Sequence, residues 1–235
     1  MMLNSEQVFT PQQIAKYIDH TLLKPDATAN DIEQLCREAI QCGFYSVCVN
    51  SSRVALARYL LEDTDVKVCS VVGFPLGAMD GDAKRYETEV AIDEGAHEID
   101  VVINIGLLKD KEDKKILREL RDIVEAADER IVKVIIETCL LNDEEKIRAC
   151  NLILESEAHF VKTSTGFSTS GATIEDVKLL RQIVGEKLGV KAAGGIRDAA
   201  TAIAMIKAGA NRLGTSNGVK IVQGLTAPPN SLTSY

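Results

Sequence analysis

The chain predicts an α/β protein of the (β/α)8, or TIM-barrel, class with an extra N-terminal helix. Short apolar runs alternate with amphipathic segments of helical length, a pattern that predicts right-handed βαβ units and a parallel sheet. Eight such units fall within 235 residues, a length that suits a closed barrel. An open doubly wound sheet is the competing architecture. Against it, the first strand runs into Lys24-Pro25-Asp26-Ala27-Thr28 and not into the Gly-x-Gly-x-x-Gly turn that such sheets use for dinucleotides. No Gly/Ser/Pro-rich linker interrupts the pattern, so residues 1–235 read as one domain, with 225–235 a mobile tail.

Taken in order, Thr10-Pro11 supplies an N-cap and a proline at the first helical position, opening a helix that ends before Ile18. Strands are expected at 18–22, 46–49, 67–72, 98–104, 131–137, 158–163, 189–193 and 211–213. Between them helices are expected at 29–42, 53–62, 82–94, 111–127, 143–155, 174–186 and 199–208, with a short one from about 216.

Composition narrows the function. With 46% hydrophobic and 26% charged residues the chain can bury one large core. A net charge of −8 and a pI near 5.0 disfavour nucleic acid or an anionic membrane as partner, so an anionic ligand needs a local site. No apolar run approaches the roughly 20 residues that span a bilayer, and no basic-then-apolar leader opens the sequence, so a soluble cytoplasmic protein is expected. The six cysteines include no Cys-x-x-Cys pair, which points to reduced thiols and to neither a zinc site nor a disulfide framework. His20, His97 and His159 lack metal-ligand spacing and read as hydrogen-bonded core or helix-end residues, so no metal is expected.

The stretch 157–167 is an apolar run that carries one lysine, Lys162, into hydroxyls and a glycine. A lysine on a core strand is either an amine with a lowered pKa, fit to attack a carbonyl, or a side chain snorkelling to water. Barrel active sites lie at the carboxyl ends of strands. Strand parity sends Ile99, Val101 and Ile103 toward the helices and Asp100, Val102 and Asn104 inward. It also turns Lys133, Ile135 and Glu137 inward on the fifth strand and Phe160 with Lys162 on the sixth, while Lys191 lies on the seventh. Two neighbouring lysines disfavour each other's protonation, and Asp100 could shuttle protons between them and a substrate. A buried ion-pair network would use the same residues. Gly194-Gly195 after the seventh strand and Thr215-Ser216 after the eighth occupy the loops where such barrels hold phosphate, although paired glycines also make plain turns. Cys48, with Ser46 and Asn50, and Asp19, with Thr21, share strand parities that suit either a pocket lining or satisfied core polar groups.

Six segments, 18–24, 72–77, 98–106, 133–138, 160–167 and 190–197, resemble deoxyribose-phosphate aldolases in order and at barrel spacing, within a resemblance running from Ile14 to about Gly224. That family comprises class I, metal-independent (β/α)8 aldolases. They interconvert 2-deoxy-D-ribose 5-phosphate with D-glyceraldehyde 3-phosphate and acetaldehyde, and need no cofactor. The resemblance implies Lys162 as the Schiff-base lysine, Asp100 as the proton-transfer carboxylate and Lys191 as the lysine that tunes Lys162. It implies Asp19, Thr21 and Lys133 as a supporting network, Gly194, Gly195, Thr215 and Ser216 as phosphate contacts, and a homodimer or larger homo-oligomer. Cys48, Thr163, Phe167 and Tyr235 are further pocket candidates. Phe167 departs from members that carry a basic residue there, and Tyr235 matches a terminal tyrosine of some members, where a mobile tail enters the site. The competing functions are a Schiff-base barrel of the transaldolase kind and a barrel that only binds phosphosugars.

Overall fold

The computed structural model describes residues 9–225. Eight strands close into one parallel barrel in chain order. They are β1 (Ile18–Leu22), β2 (Ser46–Asn50), β3 (Lys67–Val72), β4 (Glu98–Val102), β5 (Ile131–Ile135), β6 (Phe160–Lys162), β7 (Gly189–Ala193) and β8 (Arg212–Thr215). The helices are α1 (Pro11–Ala15), α2 (Ala29–Cys42), α3 (Val54–Leu60), α4 (Gly81–Asp93), α5 (Ile105–Lys109), α6 (Asp113–Ala126), α7 (Asp143–Glu155), α8 (Ile174–Val184), α9 (Ala199–Ala208) and α10 (Gly218–Gly224). The tail beyond Leu225, with Tyr235, lies outside the described residues.

The extra helix α1 forms as expected. Thr10 accepts from the Gln13 N–H while the Gln13 side chain accepts from the Thr10 N–H, a reciprocal cap that satisfies donors left open at any helix start. One expectation is corrected. The helix expected at 111–127 forms as α6, but an additional short helix, α5, precedes it, because the Asn104 side chain accepts from the Leu107 N–H and starts α5, while Lys111 at φ 61° turns the chain before α6. Asn104, sent inward by parity, is therefore a helix cap.

Parity otherwise explains the layers. Val47, Val49, Ile99, Val101, Val132, Val134, Val161 and Val190 join the large core between strands and helices, where burial at about 25 cal/mol per Å2 of apolar surface drives folding. Inside the barrel a second, smaller apolar cluster forms from Leu23, Cys48, Cys69 and Val71, with Phe74 packed against it.

The start of three strand pairs is fixed by one repeated device. The Val68 N–H donates to His97 Nδ1 (3.0 Å), the Val132 N–H to His159 Nδ1 (3.1 Å) and the Val190 N–H to Asn211 Oδ1 (3.0 Å). Each time the backbone N–H of the residue whose side chain accepts returns a bond to the valine carbonyl. His97, His159 and Asn211 stand directly before β4, β6 and β8, so each adds one side-chain rung to the ladder. Before β2 the position holds Tyr45, whose ring instead lies 3.5 Å from the Arg212 guanidinium.

Candidate active site

Four strands deliver charge to the barrel axis. β5, β6 and β7 place Lys133, Lys162 and Lys191 there, and register sets Lys162 directly beside Lys191. Asp100 on β4 receives all three. Its Oδ2 accepts from Lys162 Nζ (2.7 Å) and Lys191 Nζ (2.6 Å), and its Oδ1 accepts from Lys133 Nζ (2.8 Å) and the Cys69 thiol (3.2 Å). Below lies a second tier. Lys191 also pairs with Asp19 and Lys133 with Glu98, while the Arg212 guanidinium bridges Asp19 (2.8 Å) and Glu98 (3.0 Å). Ser46 donates to Asp19 Oδ1 at 2.7 Å.

The bookkeeping of this cluster singles out one amine. Three carboxylates, Asp19, Glu98 and Asp100, face four cations, Lys133, Lys162, Lys191 and Arg212. Lys133, Lys191 and Arg212 each bridge two carboxylates; Lys162 touches Asp100 alone. Burial pushes the Asp100 and Asp19 carboxyls up, but the surrounding ammonium and guanidinium groups outweigh it and hold both well below the usual carboxylate range. Burial pulls Lys133 and Lys191 down, yet Asp100 and its neighbours outweigh it and hold both above the ordinary lysine value.

Lys162 is also the member of the cluster that reaches the cleft wall. It lines a cleft of about 390 Å3 at the carboxyl ends of the strands, together with Thr21, Gly194, Gly195, Thr215, Ser216 and Phe167. The expected phosphate loops thus share one cavity with the amine. Gly194 and Gly195 sit at φ 83° and 78°, and a Cβ on Gly194 would fall 2.9 Å from the Gly171 Cα, so both conformation and space demand glycine. The Thr215 hydroxyl donates to the Ile196 carbonyl and accepts the Asn217 N–H, fixing one loop on the other.

The remaining expectations divide. Asp19 and Lys133 join the ion-pair network; Thr21 lines the cleft, but its hydroxyl donates to the Asp19 carbonyl and stays outside that network. Two pocket candidates are corrected. The Thr163 hydroxyl is fully buried between the Ala193 N–H and carbonyl, because it ties β6 to β7, and it does not line the cleft. Cys48 faces inward beside Cys69, beneath the cleft, where its backbone register puts it. These two thiols and Asp100 bring three donor atoms within 4.8 Å of one another. A metal cation there would compete with three ammonium groups for the same carboxylate.

Sequence reasoning missed several participants. Glu98 has the parity of Asp100 and could have been found from it; Arg212 sits on the amino-terminal side of the barrel, away from the strand ends that were weighed. Lys24 and Arg197 line the cleft from the loops after β1 and β7, and neither has a carboxylate partner within 4 Å among the described residues. Together they offer charge to an anion. Phe167, half exposed, stacks edge to face on Phe74 at 5.3 Å and walls the cleft's other side.

The family model described as DeoC/LacD family aldolase matches residues 13–224. The deoxyribose-phosphate aldolase of Alkaliphilus oremlandii is 61% identical over 210 residues, 89% of this chain and 95% of that protein. That of a Geobacillus species is 59% identical over 218 residues, 92% of this chain and 98% of that protein. The tetrameric deoxyribose phosphate aldolase of Aeropyrum pernix superposes with a TM-score of 0.88 at 35% identity, covering 93% of each chain.

Proposed function

Because this chain belongs to the DeoC/LacD family of aldolases, we propose that it reversibly cleaves 2-deoxy-D-ribose 5-phosphate to D-glyceraldehyde 3-phosphate and acetaldehyde through a Schiff base on Lys162. The observation that carries the assignment of the lysine is its position: the cation of the cluster with a single carboxylate partner is the one that opens onto the phosphate loops.

Neutral Lys162 attacks C1 of the open-chain sugar, and loss of water from the carbinolamine leaves an iminium that serves as electron sink. Removal of the C3 hydroxyl proton breaks the C2–C3 bond, its electrons entering the iminium to give an enamine. Glyceraldehyde 3-phosphate departs. Protonation of the enamine at C2 and hydrolysis release acetaldehyde and the free lysine. Asp100 lies within a hydrogen bond of both Lys162 and Lys191, so it can take and return the protons that these steps move. Lys191, held charged by Asp100 and Asp19, keeps positive potential beside Lys162.

At the other end of the substrate, N–H groups of the Gly194-Gly195 turn and the Thr215-Ser216 loop, with Lys24 and Arg197 at the rim, receive the phosphate. This local charge answers the acidic average of the chain. Self-association, as in the tetrameric Aeropyrum pernix protein, and a cytoplasmic location belong to the same reading; among the described residues no helix is long and apolar enough to cross a membrane.

The test is borohydride reduction in the presence of acetaldehyde, followed by peptide mapping. The expected adduct is on Lys162, and Lys162→Ala is expected to lose both the adduct and sugar cleavage while keeping its fold. Cleavage by the alanine variant at a rate comparable to wild type would sink the assignment.

A further inference from the structure

Glu137 is a carboxylate that the chemistry above leaves unused, yet the structure spends much on it. It is 3% exposed and has no cation within ion-pair distance among the described residues. It also stands at φ 53°, in the left-handed region that side chains other than glycine seldom occupy. A buried unpaired charge and a strained backbone are both costly, and they coincide where surrounding structure, or function, holds them.

What the carboxylate touches is the loop that leaves Lys162. Its two oxygens accept from the Thr165 N–H (3.3 Å to each), and Oε2 also accepts from the Thr165 hydroxyl. That hydroxyl in turn accepts from the Phe167 N–H (3.0 Å). Thr165 and Phe167 both line the cleft. Next to Glu137 the two loops are already joined by backbone, the Thr138 N–H donating to the Thr163 carbonyl at 2.8 Å. β6 is three residues long, and the clamp takes over where its ladder stops.

We propose that Glu137 is a positioning residue for the substrate cleft: its buried carboxylate grips Thr165 and, through the Thr165 hydroxyl, seats Phe167 against Phe74 as the wall facing the phosphate loops. The left-handed turn at the end of β5 is what aims the carboxylate at the β6 loop and away from the lysine cluster. This inference rests on the aldolase reading for its kinetic consequence, and on geometry alone for the clamp.

The two parts are separable by experiment. Lys162 keeps its own contact with Asp100 when Glu137 changes, so reduction with acetaldehyde, which needs the amine but little of the cleft, is expected to stay within about twofold of wild type in Glu137→Gln. The KM for deoxyribose 5-phosphate is expected to rise about tenfold in the same variant, the loss of roughly one charge-assisted hydrogen bond. Thr165→Val is expected to raise KM similarly, and the double variant no further, since both break one clamp. Glu137→Gly removes the clamp and the strained side chain together, so it is expected to unfold at or above the wild-type temperature while showing the raised KM. Amide exchange at Thr165 is expected to quicken in all Glu137 variants.

Wild-type KM in Glu137→Gln and Glu137→Gly, or trapping and cleavage falling by equal factors, would overturn the proposal. If wild type itself neither traps acetaldehyde nor cleaves the sugar, the aldolase reading fails. Thr165 exchange then decides the clamp without it: faster exchange in the variants supports it, and unchanged exchange overturns it.

Discussion

Two buried lysines of this chain stand in contrasting surroundings. Lys84 is as buried as any group in the barrel, and burial lowers its pKa despite its partner Glu119. Its Nζ donates to Glu119 (2.7 Å) and to the Val102 carbonyl (2.9 Å), and it lines none of the described clefts. Lys162 differs in what surrounds it: one carboxylate shared with competitors, and an open cavity. Asp100 is the hub of that competition, so Asp100→Asn is expected to lower kcat by about 10²–10⁴-fold, the range of a lost general acid or base, measured by coupled detection of glyceraldehyde 3-phosphate. It is also expected to lower the urea midpoint, because three ammonium groups lose their common anion. Activity near wild type would move the proton transfers to another residue.

At the scale of the element, strand period was the legible quantity. A two-residue repeat put Asp100, Lys133 and Lys162 on the inner face from sequence alone, and their mutual contacts follow from a register that only the closed barrel supplies. Loop direction was illegible. Lys24, Arg197 and Glu137 take their aim from turns whose dihedrals no periodicity encodes, and the additional helix α5 ahead of α6 hinges on the cap at Asn104. The ladder rungs of His97 and His159 carry a pH consequence. Burial pushes both imidazoles below their ordinary value of 6.5. The folded state therefore binds fewer protons than the unfolded chain below that pH, and the stability due to the neutral rings, complete above about 6.5, is lost as pH falls toward the lower folded-state values. Asn211 performs the same task without titrating. His97→Asn with His159→Asn is expected to reduce the stability difference between pH 7.5 and 5.5 measured by urea unfolding; an unchanged difference would place the acid sensitivity elsewhere.

For the whole molecule, the tension lies between a net charge of −8 and a dianionic substrate. The average surface repels what the cleft must attract, and Lys24 and Arg197 are the cations at its rim. Replacing either by glutamate is expected to lower kcat/KM for deoxyribose 5-phosphate about tenfold at low salt, with little effect on unphosphorylated deoxyribose. Equal losses on both sugars would show that these cations act on the fold and not on the phosphate. The chain announced the eight-unit alternation plainly, and the order of strands around the barrel is simply the order of the sequence. What composition could not announce was that an acidic protein gathers more basic than acidic side chains at its centre.

The side-chain rungs of His97, His159 and Asn211 divide the barrel in a way that the eightfold count conceals. Each ties an odd strand to the even strand that follows it, so of the four two-strand tiles in the closed ring three carry an indexing peg at the same corner. A tile that slipped by one residue would lose its peg and turn its apolar side to the lysine cluster. Within the β5–β6 pair the peg fixes Ile135 against Lys162 from the floor of the barrel, far from any substrate, whereas Asp100 meets Lys133 and Lys162 meets Lys191 across neighbouring pairs, where backbone ladder alone holds the register.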